Sequence, residues 1–295
     1  MTTDTTHISD ANTADLPVRV YSPESSIRSP IALITGILHD LLAGRDLAWR
    51  LAIRDISAQY RQSILGVLWA FILPLANTLV WMFLNGSGIV QMAETDIPYP
   101  VYVFTGTMLW AIFTDSINGP LRKITASKSM LSKINFPREA LILSSIYETL
   151  FNGFIKIMLM LAAIMLMGVY PDWRLALFPL AIITLVLAGT AIGVMLTPMG
   201  LLFMDVSKSL PLLLQFFMYV TPVVFPLPQT GIAATIVRLN PTTPLILTAR
   251  SWLTGSEAVF LSGYYAYSGF FFIVLLAALV IYRAAMPILV ERMHA

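Results

Sequence analysis

Five long stretches of this chain contain no Asp, Glu, Lys or Arg: Gln62 to Ala93, Ile97 to Thr114, Leu175 to Met204, Ser209 to Val237 and Ala258 to Tyr282. A helix needs roughly 20 mostly apolar residues to cross about 30 Å of hydrocarbon, and each stretch can supply them. A sixth candidate lies between Glu139 and Val169, interrupted only by Glu148 and Lys156. With 57% hydrophobic and 12% charged residues and a mean hydropathy of +0.78, the chain falls outside the soluble globular range. The expected fold is an all-α integral membrane protein. Its six transmembrane helices are predicted at about 64–86, 99–119, 139–168, 174–197, 208–226 and 264–286.

Six spans place both termini on one side, and basic residues say which. Arg19, Arg28, Arg45, Arg50, Arg54 and Arg61 precede the first span; Arg122, Lys123, Lys128, Lys133 and Arg138 separate the second and third; Lys208, Arg283 and Arg292 fall on the same side. Arg174, Arg238 and Arg250 fall on the opposite loops. The positive-inside rule therefore predicts cytoplasmic termini. A net charge of +2 is too small to suggest nucleic acid, and topology already explains the cations. Zero cysteines exclude disulfides and thiolate metal sites. Residues 1–30 begin polar and Thr-rich, without a signal-peptide pattern, and are expected to form a disordered cytoplasmic tail.

Three segments are not simple spans. Over residues 31–61, apolar residues recur at Ile34, Ile37, Leu38, Leu41, Leu47, Leu51 and Ile56 while Arg45, Arg50, Arg54 and Asp55 fall mostly elsewhere. That pattern predicts an N-terminal amphipathic interfacial helix, the alternative being a helix packed on soluble protein. Residues 120–138 hold five cations and no acid, yet space Leu121, Ile124, Met130, Leu131 and Ile134 as a short amphipathic helix would. This loop reads as a docking element for a cytoplasmic partner, or as a plain topology-setting loop. Residues 227–263 contain Pro228, Pro241 and Pro244 and two apolar runs too short to span, as expected of a re-entrant outer-face helical hairpin between spans five and six, or of a surface loop.

Intramembrane polar residues are candidates for function. Glu148, Asn152 and Lys156 recur every fourth residue and share one face of span three, either on a translocation path or as a structural polar seam. Aromatics gather in the outer half, among them Tyr102, Phe113, Phe217 and Tyr219. An interfacial belt accounts for most of them, and some are expected to line a path for a sugar chain. The chain has no Walker-type phosphate loop and no clustered histidines; a transport subunit energised by a separate protein is expected, with no cofactor in this chain. A membrane-embedded transferase would need clustered acids, for which Asp96 with Glu94 is the nearest candidate.

The chain resembles the permease subunits of ABC-2 type exporters of polysaccharides and polyol phosphates. The resemblance runs from about Leu47 onward and rests on Arg54-Asp55 with Tyr60-Arg61-Gln62-Ser63, Leu65-Gly66-Val67-Leu68-Trp69-Ala70 with Pro74-Leu75, Phe136-Pro137-Arg138-Glu139, Thr221-Pro222-Val223-Val224-Phe225 and Asn240-Pro241-Thr242-Thr243-Pro244. Members often carry Arg-Asp-Val after span four; here Met204 precedes Asp205-Val206, so an arginine contact to the partner is not implied at that point. The resemblance implies a homodimer bound to two copies of a nucleotide-binding subunit, where ATP and magnesium would reside. It also implies a coupling helix in the 120–138 loop and export of a lipid-linked glycan across the bacterial inner membrane. O-antigen on undecaprenyl diphosphate is the favoured substrate, with capsule and teichoic acid as alternatives and drug or small-lipid export more remote. Arginine binds phosphate bidentately, so Arg54 or Arg61, with Tyr60, Gln62 and Ser63 beside them, is the expected diphosphate site at the gate, the alternative being that both arginines only anchor the helix to headgroups.

Overall fold

A computed structural model describes residues 30–61, 66–89, 95–131, 133 and 136–294. Residues 1–29 of the expected tail 1–30, together with Gln62, Ser63, Glu94 and Ile134, lie outside the described residues, and Pro30 opens the first helix. Helices make up most of the described residues, with no strand among them. In chain order they are α1 (Pro30–Ala43), α2 (Arg45–Arg61), α3 (Trp69–Gly86), α4 (Tyr99–Ala126), α5 (Lys128–Leu131), α6 (Glu139–Leu166), α7 (Phe178–Leu202), α8 (Met204–Met218), α9 (Gly231–Leu239), α10 (Thr242–Thr254) and α11 (Leu261–His294).

Three helical stretches are long and apolar enough to cross a membrane: Glu139–Leu166, Trp173–Leu202 and Leu261–Glu291. A shorter apolar helix covers Ile72–Gly86. The chain is an integral membrane protein by this measure.

The centre of the bundle is α4, whose residues from Val101 to Trp110 are all buried. It packs against α7 at a distance that only glycine permits. A Cβ on Gly193 would lie 2.3 Å from the Ile117 carbonyl oxygen, and one on Gly189 would lie 2.8 Å from that of Phe113. Two small residues one turn apart thus let the two backbones touch, which substitutes for the absent hydrophobic drive between helices in lipid. The opposite flank of α4 meets α6, and α2 lies along α6 in turn.

The course of α2 is set by α6. Gly44, just before α2, packs on Ala140; Trp49 sits edge-on to Tyr147 at 5.7 Å; Tyr60 hydrogen-bonds Asn152. Contacts ascend both helices in the same order, so α2 climbs α6 for about 18 Å, at 1.5 Å per residue from Ala140 to Asn152. Its buried stripe, Ala48, Leu51 and Ala52, is the seam against α6.

The basic loop is shorter than the spacing suggested. The second long helix continues through Pro120 to Ala126, with Gly119, Pro120, Leu121, Lys123 and Ile124 buried against neighbouring helices; that packing outweighs the backbone hydrogen bond a proline removes. Leu121 and Ile124, expected on the loop, are buried on the last turns of α4, and Leu131 on α5 is buried with Ile124, Leu141 and Tyr282. These three side chains fill the subunit's own core, so they are not free for a partner; Met130 is half-buried.

Candidate translocation site

The polar stripe of α6 faces α2 and α4. Glu148, Asn152 and Lys156 do share a face, yet they do not pair with one another. Glu148 accepts from Arg122 Nη2 at 3.0 Å and from Lys123 Nζ at 3.3 Å, both on α4. Lys123 also donates to Asp55 Oδ2 of α2 at 2.6 Å, and Arg54 Nε holds the other oxygen of Asp55 at 2.7 Å. Five charges from three helices thus form one seam. Burial resists the charge on Asp55, but hydrogen bonds from Arg54 and Lys123 outweigh it and hold the carboxyl below its ordinary value.

Depth follows from helix geometry. From Leu166, at the far end of α6, back to Glu148 is roughly 27 Å at 1.5 Å per residue, close to the hydrocarbon thickness of about 30 Å. With Leu166 at one boundary of the apolar layer, the five-charge seam stands at the other, where charges can reach water. Asn152 and Lys156 stand one and two turns further in, and Lys156 falls near the midplane.

At that depth a bare cation would be costly. Lys156 Nζ bonds Asp115 Oδ2 of α4, and Tyr60 donates to Asn152 Oδ1 at 2.8 Å. These groups open onto a cavity of about 370 Å³ bounded by the end of α2, by α3, α4 and α6, and by Met218 of α8. Trp69, Asn77 and Trp110 contribute to its wall. The sequence pointed to Tyr60, Asn152 and Lys156, and the fold brings those three together.

Other predicted residues go elsewhere. Phe113 is fully buried within the core. Tyr102 is buried with its hydroxyl donating to the carbonyls of Pro222 and Phe225 at 3.3 and 3.1 Å. Neither side chain lines an open path: Phe113 lies where α4 meets Gly189 of α7, and Tyr102 lies beneath Arg250 of α10. Phe217 and Tyr219 are exposed, each 49% accessible, but outside the cavity. Arg54 is tied to Asp55, whereas Arg61 is exposed at the end of α2.

Two motifs prove to be partners. Asn240 Nδ2 donates to Thr221 Oγ1 at 2.8 Å, and Asn240 Oδ1 accepts from the backbone and hydroxyl of Thr242 at 3.0 and 2.7 Å. The Thr-Pro turn after α8 and the Asn-Pro turn between α9 and α10 are thereby locked together. Arg250 completes the lock from α10. It is 3% exposed, donates to the carbonyls of Pro222 and Val223 at 3.1 and 2.7 Å, and stacks 3.7 Å from the centre of the Tyr102 ring. Gly106 makes the approach possible, since its Cβ would fall 2.1 Å from the Val223 oxygen.

Asp115, Asn77 and the cation pair Arg122 and Lys123 were not singled out from the sequence as site residues. A signal existed for Asp115: a lone acid and the lone Lys156, both at membrane depth, need one another.

A family model for ABC-2 type transporters matches residues 46–254, from the first turn of α2 to the last residue of α10. The chain belongs to the ABC-2 type transporter family. All cavity-lining residues and both locked turns fall inside the matched segment. Among relatives, the chain is similar to the O-antigen export system permease protein RfbA of Myxococcus xanthus, 28% identical over 227 residues that cover 76% of this chain and 84% of that protein. It is similar to a Klebsiella pneumoniae protein of the same name, 24% identical over 203 residues covering 67% and 76%. It also resembles the polysialic acid transport protein KpsM of Escherichia coli, 27% identical over 178 residues covering 60% and 69%. This ABC-2 chain therefore keeps company with transport permeases.

Proposed function

We propose that the chain is the permease of an ATP-driven exporter that carries a lipid-linked polysaccharide, O-antigen on undecaprenyl diphosphate, from the cytoplasm across the bacterial inner membrane. The family match across the whole site carries the reading, and relatives named for O-antigen export supply the substrate. Capsular polysaccharide export is the second reading, favoured by the similarity to the polysialic acid transporter.

In this reading α3, α4, α6, α7, α8 and α11 are the six spans, the termini are cytoplasmic, and α9 and α10 form the re-entrant outer hairpin. Two copies of the chain assemble with two nucleotide-binding subunits, on which ATP and magnesium act. Lys128, Ser129, Met130 and Lys133 present the docking surface, because the neighbouring Leu121, Ile124 and Leu131 are committed to the core. Arg61 is the better diphosphate ligand of the two arginines, since Arg54 already neutralises Asp55. Asn152 and Lys156 lie on the route, and Tyr60 ties the gate end of α2 to it.

The test is complementation. Cells lacking the chain should accumulate undecaprenyl-linked O-antigen inside and regain surface O-antigen when it is restored, and the purified complex should contain an ATPase. Surface O-antigen unchanged by the deletion, with capsule also unchanged, would refute polysaccharide export. Arg61→Lys keeps the charge but loses the fork; full export by that variant at normal expression would remove Arg61 from the diphosphate site.

A further inference from the structure

We propose that the cavity between α3, α4 and α6 is a subsite for a neutral pyranose unit, an inference that rests on the polysaccharide-export reading. Its wall combines two kinds of surface. Trp69, 47% exposed, and the buried Trp110 both line it. Around them stand Asn77, Asn152, Asp115 and Lys156. The Asn152 carbonyl oxygen is taken by Tyr60, and its amide nitrogen has no hydrogen-bond partner among the described residues; the Asn77 side chain likewise has none.

The chemistry narrows the occupant. A polyprenyl tail would leave these amides unsatisfied at a depth where each such group costs several kcal/mol. A simple ion would find no net attraction, because the charged lining residues, Asp115 and Lys156, neutralise each other. A pyranose ring offers an apolar C–H face to an indole and a rim of hydroxyls that both donate and accept, which suits primary amides. The volume of about 370 Å³ lies at the small end for ligand sites and limits the occupant to about one or two rings. The balanced Asp115–Lys156 pair further selects a neutral sugar over a uronic or sialic acid, whose carboxylate would compete with Asp115 for Lys156.

The full-length chain in lipid nanodiscs, without any ATPase, is titrated with the methyl glycosides of glucose, galactose, mannose and rhamnose and with methyl glucuronide, read by saturation-transfer NMR on the sugar protons. At least one neutral glycoside should bind with a dissociation constant on the order of 1 mM, and methyl glucuronide should bind more weakly. Asn152→Ala and Trp69→Ala should each weaken binding by about tenfold, about 1.4 kcal/mol, while Trp69→Phe retains it. Asn77→Ala serves if either of the first two fails to fold. The subsite is refuted if no neutral glycoside binds, if the glucuronide binds as tightly, or if the folded alanine variants bind like wild type. The titration involves no export, so its failure leaves the complementation result standing, and failed complementation leaves the titration readable.

Discussion

Two buried cations on or against α4, Lys123 near its end and Arg250 over its first turn, stand roughly 32 Å apart by helix rise from Tyr102 to Lys123, and the chain neutralises them in opposite ways. Lys123 sits among carboxylates that each hold a second cation: Asp55 keeps Arg54, and Glu148 keeps Arg122. Arg250 has no carboxylate within bonding distance among the described residues and is held by two carbonyls and a tyrosine ring. The first arrangement is redundant and the second is not. A seam that shares its charges can slide by exchanging partners, while a fork inserted into a backbone turn holds one geometry.

That contrast breaks most sharply at Arg250. Arg250→Ala removes two charge-assisted hydrogen bonds and a cation–π contact, an expected loss of about 4 kcal/mol. Arg250→Lys should recover little, since an ammonium cannot fork to both carbonyls. Thermal unfolding of the purified chain checks both, and a loss for Arg250→Ala no greater than for Lys123→Met would end the contrast.

At mid-depth, Lys156→Met or Asp115→Asn alone should lower stability by about 3 kcal/mol, because each strands a charge. The pair Asp115→Leu with Lys156→Met should regain most of the loss while export stays low. Recovery of export with stability would mean the pair is only structural.

Redundancy predicts a smaller effect in the seam. Lys123→Met should cost about 1 to 2 kcal/mol, and adding Arg122→Met should cost more than the two singles summed, because Glu148 then loses both cations. Strict additivity would show that the seam does not share its charges.

The smallest effect is a pH dependence. The Asp55 carboxyl is held below its ordinary value of about 3.9, so its contribution is present above that pH and fades as pH falls through the folded value. Wild type and Asp55→Asn should differ in melting temperature near neutrality, and the difference should shrink as pH falls below about 3.9 and vanish only below the folded value. A difference that persists at lower pH would place the Asp55 effect outside its ionisation.

Within α6 the sequence was informative about which residues matter and silent about whom they touch. A period of four put Glu148, Asn152 and Lys156 on one face, but their partners come from α2 and α4, dozens of positions away. The apolar spacing of Leu121, Ile124 and Leu131 was real as well. It reported burial inside the subunit, and a local pattern does not say which body of protein covers an apolar face.

By itself, then, the amino-acid sequence determined the class of this protein: charge-free lengths matched to hydrocarbon, isolated ionisable residues at depth, two short helices around Asn240-Pro241, and the motifs of its family. Those features are local, set by composition, period and proline. Only the tertiary structure decided that α2 climbs α6, that the Thr-Pro and Asn-Pro turns interlock, that Arg250 needs no acid, and that Asp115 answers Lys156 across a cavity. Each of these depends on the relative placement of distant helices, which is fixed by close contacts such as Gly193 on Ile117 and not by any pattern along the chain.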